Sequence, residues 1–375
     1  MNRRVLALFP HFNTGGANSH VIAGILGGMV LHGFNVQLRV PASATGGRGP
    51  FTRDALPRAV ARLAYRVIGV PGVNRLAERR FLRALRSGDV AYLWPGTSLD
   101  VYRTAKARGA VVVTERINCH TATARAVLDA EASAIGWPPD HAITDALIAE
   151  ERAELELADF IFSPSPLVDE SLTANGVPTR KILPVSYGWS PDRVGAPGGV
   201  NAGSGLKVLF VGLACQRKGA HRLLDAWKLS GVAGQLLFAG RVTDDLLSRR
   251  AADFARPDVV RLGHVSDIGT TYRSADAFAF PSFEEGGPLV TYEAMGVGRP
   301  VVVSPMGAGR VARDEADGAI VLPPDRPELW AEAFRRLAAD DGLRANLGAA
   351  AIRRAAAFTW AECGRLRAER LAAVL

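Results

Sequence analysis

Residues 276–310 read DAFAFPSFEEGGPLVTYEAMGVGRPVVVSPMGAGR, and this stretch decides the fold. A four-residue apolar run at 277–280 predicts a buried strand. A loop with two carboxylates and two glycines follows it. Residues 288–297 then predict a helix whose first residue is a proline, a position where a missing N–H costs nothing. A second apolar strand is predicted at 299–304, so the stretch is a strand–loop–helix–strand unit of an α/β protein.

The loop between the first strand and the helix has the features of an anion site. The first turn of a helix presents free backbone N–H groups, and the helix dipole favours negative charge there. The carboxylates of Glu285 and Glu293 would repel a bare phosphate, but they can accept hydrogen bonds from sugar hydroxyls. The pattern therefore predicts a phosphate cradle with two hydroxyl-binding carboxylates, which suits a nucleotide sugar. An ordinary acidic turn exposed to solvent is the alternative.

The segment PSFEEGGPLVTYEAMGVGRPVVVS resembles the E-x7-E signature of retaining glycosyltransferases of family four, which have the GT-B architecture. The resemblance implies that Glu285 lies against the donor sugar and that Glu293 binds the ribose hydroxyls. It also implies that backbone amides between them contact the diphosphate. Pro288, which stands where the family often has glycine, donates no N–H. The expected donor-binding residues of this loop are Gly286, Gly287, Leu289 and Val290.

A pair of cations follows the strand predicted at 206–211. Arg217 and Lys218 would lie at the mouth of the second sheet and neutralise a diphosphate, which arginine can bind in a bidentate manner. The placement of Lys218 matches the arginine–lysine pair of the family, whereas Leu213 stands where the family often has an arginine. A solvated pair of cations at a helix start is the alternative.

The first half of the chain begins like a doubly wound sheet, with a strand at 4–9, a helix at 17–32 and a strand at 33–40. Gly15 and Gly16 lie in the first loop, where paired glycines allow a backbone to approach a ligand closely. A plain tight turn would also explain them. In the family, glycines at this place lie under the phosphate and the sugar of the donor.

His120 follows the end of a strand predicted at 110–115, and ligands of open α/β sheets bind at that edge. The resemblance implies that a histidine near this place faces the donor sugar, which makes His120 a candidate catalytic residue beside Glu285, Arg217 and Lys218. A histidine bonded within its own loop is the alternative. His264 and Val265 lie where the family places the nucleotide base against the backbone.

Residues 51–86 carry nine arginines against two acidic residues, and the chain has a net charge of +8. Apolar residues and arginines repeat there at helical spacing, which predicts a basic amphipathic helix. One interpretation is a contact with an anionic membrane, to which each basic residue would contribute about 1 kcal/mol. The other is a surface helix that packs on its own domain. No nucleic-acid motif appears, and we expect no nucleic-acid partner.

Length and composition fit a soluble protein of two domains, with 375 residues, 48% hydrophobic and 22% charged. The three cysteines are scattered without metal-ligand spacing, and no apolar run approaches the roughly 20 residues of a membrane span. We expect a cytoplasmic protein, with peripheral contact at the inner face of the plasma membrane as an open alternative.

The linker predicted at 191–205 is rich in Pro, Gly and Ser. It would separate an acceptor-side domain (1–190) from a nucleotide-sugar domain (206–357). The resemblance implies a GT-B fold of two Rossmann-like, doubly wound domains that face each other across a cleft, with a last helix (358–375) that crosses back to the first domain.

The predicted activity is transfer of a sugar from a nucleoside-diphosphate sugar to a hydroxyl acceptor, with retention and without a cofactor. The chain contains no Asp-x-Asp motif, and cations with a helix dipole can replace a metal ion, so we predict metal independence. A glycan or lipid-linked acceptor of cell-envelope synthesis is expected from the basic helix. The alternatives are an inverting transferase or epimerase of the same fold, and a non-catalytic protein that binds sugar nucleotides.

Overall fold

The computed structural model describes residues 3–14, 17–44, 47, 49–198 and 205–375. Within these residues the strands form two parallel sheets. The first sheet contains β1 (Arg4–Leu8), β2 (Asn35–Val40), β3 (Thr52–Asp54), β4 (Val90–Leu93), β5 (Val111–Glu115), β6 (Phe160–Ser163) and β7 (Ile182–Pro184). The second contains β8 (Leu206–Val211), β9 (Gly234–Ala239), β10 (Val259–Gly263), β11 (Ala277–Phe280), β12 (Val301–Val303) and β13 (Ala319–Val321).

Helices cover both sheets. Those of the first half of the chain are α1 (Ala17–Leu31), α2 (Arg58–Ala84), α3 (Leu99–Ala107), α4 (Thr121–Ile135), α5 (Asp145–Leu157), α6 (Pro166–Ala174) and α7 (Pro191–Val194). Those of the second half are α8 (Ala220–Ser230), α9 (Asp244–Arg249), α10 (Ala251–Phe254), α11 (Ile268–Arg273), α12 (Leu289–Gly296), α13 (Pro305–Ala308), α14 (Pro327–Ala339), α15 (Asp341–Ala355) and α16 (Trp360–Ala372). The predicted α/β class with two Rossmann-like domains is confirmed.

Both sheets are doubly wound. Their strand orders are β3-β2-β1-β4-β5-β6-β7 and β10-β9-β8-β11-β12-β13. The order reverses between β1 and β4 in the first sheet and between β8 and β11 in the second. Ligands of such sheets bind outside the carboxyl ends of the strands at these switch points. The loops after β1, β4, β8 and β11 are therefore the natural place for a site.

The central strands are short apolar runs because helices cover both faces of a parallel sheet. β4, β11 and β12 bury every residue. Phe278 in β11 lies opposite Val301 in β12, which fixes the register of the strand–loop–helix–strand unit at 276–310. The strands predicted at 277–280 and 206–211 coincide with β11 and β8.

The arginine-rich segment is less regular than the amphipathic pattern predicts. It begins with the short edge strand β3, and α2 follows with a break in helical geometry at Gly69 (φ 64°), just before Pro71. Beyond the break, Val73 and Phe81 are buried, whereas Leu63 and Val67 before it are 62% and 70% exposed. The second part of α2 therefore packs on its own domain, and the first part leaves its apolar side chains in solvent.

The last helix, α16, packs along α1 of the first domain. Gly28 and Gly364 meet at the contact, where a Cβ on Gly28 would lie 2.7 Å from the Cα of Gly364. Arg367 of α16 is fully buried and donates from Nη2 to Oε1 of Glu115 at 2.6 Å. This buried ion pair ties the end of the chain to β5.

None of the helices within the described residues combines the length and the apolar character that crossing a bilayer requires.

Candidate active site

Two loops of the second domain meet at the switch point of its sheet. The loop after β8 ends in Gly219 (φ 69°), and the loop after β11 begins at Pro281. A Cβ on Gly219 would lie 2.0 Å from the carbonyl oxygen of Pro281, so only glycine permits this approach. The contact brings Arg217 and Lys218, which precede the glycine, beside the glutamates of the second loop.

Lys218 forms an ion pair with Glu285. The two side chains are only 14% and 12% exposed, and the Oγ of Ser282 lies 3.4 Å from Oε1 of Glu285. Burial and the neighbouring Arg217 guanidinium lower the pKa of Lys218 to about 7, and Glu284 acts in the opposite direction. The Glu285 carboxylate in contact with the ammonium also favours the charged form, so Lys218 can serve as a cation at neutral pH.

Glu284, adjacent to Glu285 in the sequence, has a different environment. It is buried, and it accepts hydrogen bonds from Nδ2 of Asn118 at 2.7 and 2.9 Å. Nη1 of Arg217 lies 2.9 Å from its Oε2. Glu284 therefore links the first domain to a cation of the second. The sequence analysis predicted neither a role for Asn118 nor a bridging role for Glu284. The signal for Asn118 was its position in the loop after β5, at the edge of the sheet where ligands were expected.

The two glycines of the loop lie directly against the first domain. A Cβ on Gly286 would be 2.1 Å from the carbonyl oxygen of Ile117, and a Cβ on Gly287 would be 2.3 Å from Cδ2 of Tyr187. Both distances are far inside van der Waals contact. The glycine pair is therefore required for the domains to approach this closely.

A cavity of about 280 Å³ lies in the resulting cleft. The first domain lines it with Val21, Trp94, Ile117, Asn118 and Tyr187. The second domain lines it with Val211, Gly212, Arg217, Lys218, Phe280, Glu285, Gly287, Pro288, Leu289 and Val290. The structure thus brings together six of the predicted residues, Arg217, Lys218, Glu285, Gly287, Leu289 and Val290, while Gly286 lies at the domain contact.

Glu293 lies apart from this cavity lining. It is buried on α12, where it binds Nε of Arg193 at 2.9 Å and accepts from the Tyr272 hydroxyl at 3.1 Å. Burial raises the pKa of Glu293, and Arg193 opposes that shift. Arg193 belongs to α7 in the predicted linker, so the carboxylate expected to bind ribose is held by a residue that joins the two domains.

His120 does not face the cleft, contrary to the expectation from the resemblance. Its side chain is fully buried at the start of α4, where Nδ1 accepts from the backbone N–H of Ala122 at 3.1 Å. Nε2 lies 3.3 Å from Oε2 of Glu151, and burial lowers the pKa of His120. The position after β5 is as predicted, but the helix cap turns the ring into the first domain.

His264 and Val265, which were expected at the nucleotide base, lie away from the cleft cavity. His264 is exposed and Val265 is half-buried, and neither lines the cleft cavity. Gly15 and Gly16 lie outside the residues that the structure describes.

Further contacts hold the domains together near the cations. Oδ2 of Asp140, in the loop after α4, accepts from the backbone N–H of Arg217 at 3.0 Å. Glu131 of α4 lies 2.7 Å from both Nε2 of His221 and Nε of Arg222 on α8. The loop that carries Arg217 and Lys218 is thus supported from the first domain.

Comparison with known proteins supports the family. Residues 205–340 match the model of the family described as Glycosyl transferases group 1. A D-inositol 3-phosphate glycosyltransferase of Corynebacterium diphtheriae is 36% identical over 95 residues, which are 25% of this chain and 22% of that protein. The match therefore spans less than a quarter of that relative.

Solved structures share the fold over the whole chain. Sucrose-phosphate synthase of Thermosynechococcus elongatus superposes with a TM-score of 0.73 at 18% identity, covering 99% of each chain. The Anabaena protein HepE in complex with UDP superposes with a TM-score of 0.67 at 15% identity, covering 99% of this chain and all of the other. At these identities the likeness establishes the GT-B fold and no more.

Proposed function

We propose that this chain, whose residues 205–340 match the family model of the group 1 glycosyl transferases, moves a sugar from a nucleoside-diphosphate sugar to a hydroxyl group. The observation that carries the proposal is the pairing of Lys218 with Glu285, beside Arg217, in the cleft between the domains. Cations next to a carboxylate suit a ligand that joins a diphosphate to a sugar. Because HepE was solved with UDP, UDP is the first nucleotide to test.

The reaction would break the bond between the anomeric carbon and the diphosphate oxygen and form a bond from that carbon to the acceptor oxygen. Lys218, Arg217 and the first amides of α12 would stabilise the negative charge that grows on the leaving diphosphate. The acceptor proton would pass to the leaving phosphate oxygen. Glu285 would bind hydroxyls of the donor sugar.

Retention of configuration is the stereochemistry that we favour. An inverting enzyme needs a general base beside the acceptor hydroxyl. Such a base would be sought at the carboxyl end of β5, where Glu115 and His120 lie. Both are fully buried, His120 at its helix cap and Glu115 in its ion pair with Arg367. Neither can reach an acceptor in this conformation, which weighs against inversion.

We further propose that the transfer needs no metal ion. Two cations and the start of α12 would supply the positive charge that the leaving diphosphate requires. The absence of an Asp-x-Asp motif from the sequence agrees with this. Activity should persist in EDTA, and an activity that only added Mg²⁺ or Mn²⁺ restores would contradict this part of the proposal.

The experiment is an assay of sugar transfer and of nucleotide release with a panel of nucleotide sugars, followed by NMR. We expect turnover with at least one donor and a product with the anomeric configuration of that donor. Glu285→Gln should lose the activity, whereas Glu170→Gln, an exposed carboxylate on α6, should retain it. Nucleotide binding without turnover would instead favour a non-catalytic binding protein, and an inverted product would exclude retention.

We also propose that the first part of α2 contacts an anionic membrane and that the acceptor belongs to a cell-envelope glycan or glycolipid. Four apolar side chains there are 45–70% exposed: Val60, Leu63, Val67 and Ile68. Arg58, Arg62 and Arg66 are interleaved with them. Apolar side chains with neighbouring cations are the composition that binds an anionic interface.

Vesicle flotation tests the membrane contact. We expect the protein to float with vesicles that contain anionic phospholipid and to remain unbound with neutral ones. Replacing Leu63 and Val67 by Ser should reduce flotation, whereas Leu229→Ser, which changes an exposed leucine on α8, should not. Equal behaviour with both lipid compositions would exclude the electrostatic contact.

A further inference from the structure

A second cavity, of about 570 Å³, lies in the first domain beside the cleft. It opens at the carboxyl ends of β4 and β5 and is closed on one side by α5. Ile117 and Asn118 line both this cavity and the cleft cavity, and Glu284 reaches it from the second domain. Its volume is within the range of small-molecule sites, so a molecule held there would lie next to the proposed donor.

The charges that line this cavity are mostly negative. Glu150, Glu151 and Glu154 project from α5, and Arg116 is the cation among its lining residues. Glu151 is satisfied by Arg116 and by Thr121, whose backbone N–H donates to it at 2.7 Å. Glu284 is likewise satisfied by Asn118 and Arg217.

Glu150 and Glu154 differ from the other two carboxylates. Within the described residues, neither carboxylate makes a hydrogen bond or an ion pair. Burial raises the pKa of Glu154 to about 7, with Arg116 opposing the shift and Glu150 adding to it. A part-buried acid without a partner favours a ligand that brings positive charge, because that charge offsets the desolvation of the carboxylate.

Arg116 supplies an independent sign that this cavity suits a ligand. The residue is only 9% exposed, and its Nη2 is bonded to Glu151 and to the carbonyl oxygen of Cys119. Its Nε has no hydrogen-bond partner among the described residues. A buried guanidinium N–H that remains unpaired is costly, and a ligand hydroxyl could accept from it.

We propose that this cavity holds the acceptor and that it selects a hydroxylated molecule carrying an ammonium group, such as an amino sugar or an aminated cyclitol, over its phosphorylated counterpart. The ammonium would pair with Glu154 and Glu150, and a hydroxyl would accept from Arg116. A phosphate in the same place would face four carboxylates and one guanidinium, and like charges at close range are strongly unfavourable. The inference rests on the proposed function, since it assigns the acceptor of that reaction.

The test uses three sugars that differ at one position: 6-amino-6-deoxyglucose, glucose and glucose 6-phosphate. Binding to the full chain is measured by NMR titration at pH 8, where a primary alkyl amine is still charged and Glu154 is mostly ionised. We expect the amino sugar to bind at least tenfold more tightly than glucose, and glucose 6-phosphate to bind most weakly. Equal affinities, tighter binding of the phosphate, or no binding of any of the three would overturn the proposal.

Variants of α5 locate the binding. Glu154→Gln should reduce the affinity for the amino sugar about tenfold and leave that for glucose unchanged. Glu156→Gln, an exposed residue of the same helix outside this cavity, should change neither. If Glu154→Gln does not fold, Glu150→Gln serves as a second cavity variant, because Glu150 is exposed and its replacement disturbs no buried group. Amino-sugar binding that neither cavity variant alters would place the ligand elsewhere and overturn the assignment.

The same samples separate this inference from the proposed function. Nucleoside-diphosphate binding is titrated independently in each. If the protein binds a nucleotide but does not discriminate between the three sugars, the acceptor assignment is wrong and the proposed function stands. If it binds the amino sugar selectively but binds no nucleotide, the proposed transferase function is wrong.

Discussion

The two sides of the cleft are built in different ways. The second-domain side comes from two loops, and one of them lies within a single stretch of sequence, residues 276–310. The first-domain side is assembled from the loops after β4 and β5 and from α5, three separate segments with no motif in common. A site encoded locally can be read from a motif, whereas a site assembled by the fold can be seen only once the chain is folded.

The two sides also differ in charge. The second domain presents Lys218 and Arg217, each held by an adjacent glutamate, which suits an anionic diphosphate. The first domain presents the carboxylates of Glu150 and Glu154, which have no partner among the residues that the structure describes. Ile117 and Asn118 separate the two cavities. The second-domain side therefore suits an anionic donor, and the first-domain side suits a cationic acceptor.

The largest expected effect comes from removing the cation of the donor side. Lys218→Met should lower the rate of transfer about 10²- to 10³-fold, because one charged donor to the leaving group is lost. It should leave amino-sugar binding in the first domain unchanged. Steady-state kinetics and the sugar titration measure the two effects, and Lys228→Met, at an exposed position on α8, is the matched control. A transfer rate within threefold of the wild type would contradict the role of Lys218.

A smaller effect is expected where the two sides touch. Gly286→Ala would place a methyl group 2.1 Å from the carbonyl oxygen of Ile117, so the domains must separate. We expect transfer to fall roughly 10- to 100-fold, since a displacement of about 1 Å can cost that much. Nucleotide binding, which depends on the second domain, should weaken far less.

The control for this variant is Gly27→Ala, because a Cβ on Gly27 meets no atom within 4 Å. It should leave both transfer and nucleotide binding unchanged. If Gly286→Ala weakened nucleotide binding as much as it slowed transfer, Gly286 would be needed for nucleotide binding by the second-domain loop. It would then not act through the contact between the domains, contrary to this prediction.

The smallest effect is a pH dependence that belongs to the donor side alone. Burial and Arg217 lower the pKa of Lys218, and a bound diphosphate would raise it again, so binding favours the protonated amine. Donor affinity should therefore fall as the pH rises above neutral, by up to about tenfold per unit. Titrations between pH 7 and pH 8 measure this slope, which over that one unit is at most about tenfold.

Lys218→Arg sharpens the pH experiment because arginine keeps its proton throughout this range. The slope should flatten in that variant even if the absolute affinity changes. If the donor affinity of the wild type did not change with pH over this range, donor binding would not depend on the protonation of Lys218. That result would contradict the claim that the Lys218 ammonium binds the diphosphate.

The sequence predicted the second-domain side well for physical reasons. A fully buried parallel strand must be a continuous apolar run, and a helix start must follow the glycine loop. β11, the loop and α12 therefore lie close to their predicted positions. The cluster of Arg217, Lys218 and Glu285 follows because β8 and β11 are neighbours at the switch point of the sheet.

The first-domain side could not be predicted from local patterns. Nothing in the residues around His120 indicates that the ring caps α4 and turns away from the cleft, since that depends on the packing of Glu151 from α5. Asn118, two positions earlier, faces the cleft instead. Likewise, the carboxylates of α5 look like an ordinary solvated helix face until the loops after β4 and β5 are placed opposite them.

The most direct test of the central claim is a thermal-shift titration with UDP, GDP, ADP and TDP, each with and without EDTA. A ligand that binds only the native state stabilises it by about 2.7 kcal/mol at 100 times its Kd. We expect that at least one nucleotide raises the melting temperature, that EDTA leaves the shift unchanged, and that Lys218→Met removes it. No shift with any nucleotide, or a shift abolished by EDTA, would contradict a metal-free diphosphate cradle on the second domain.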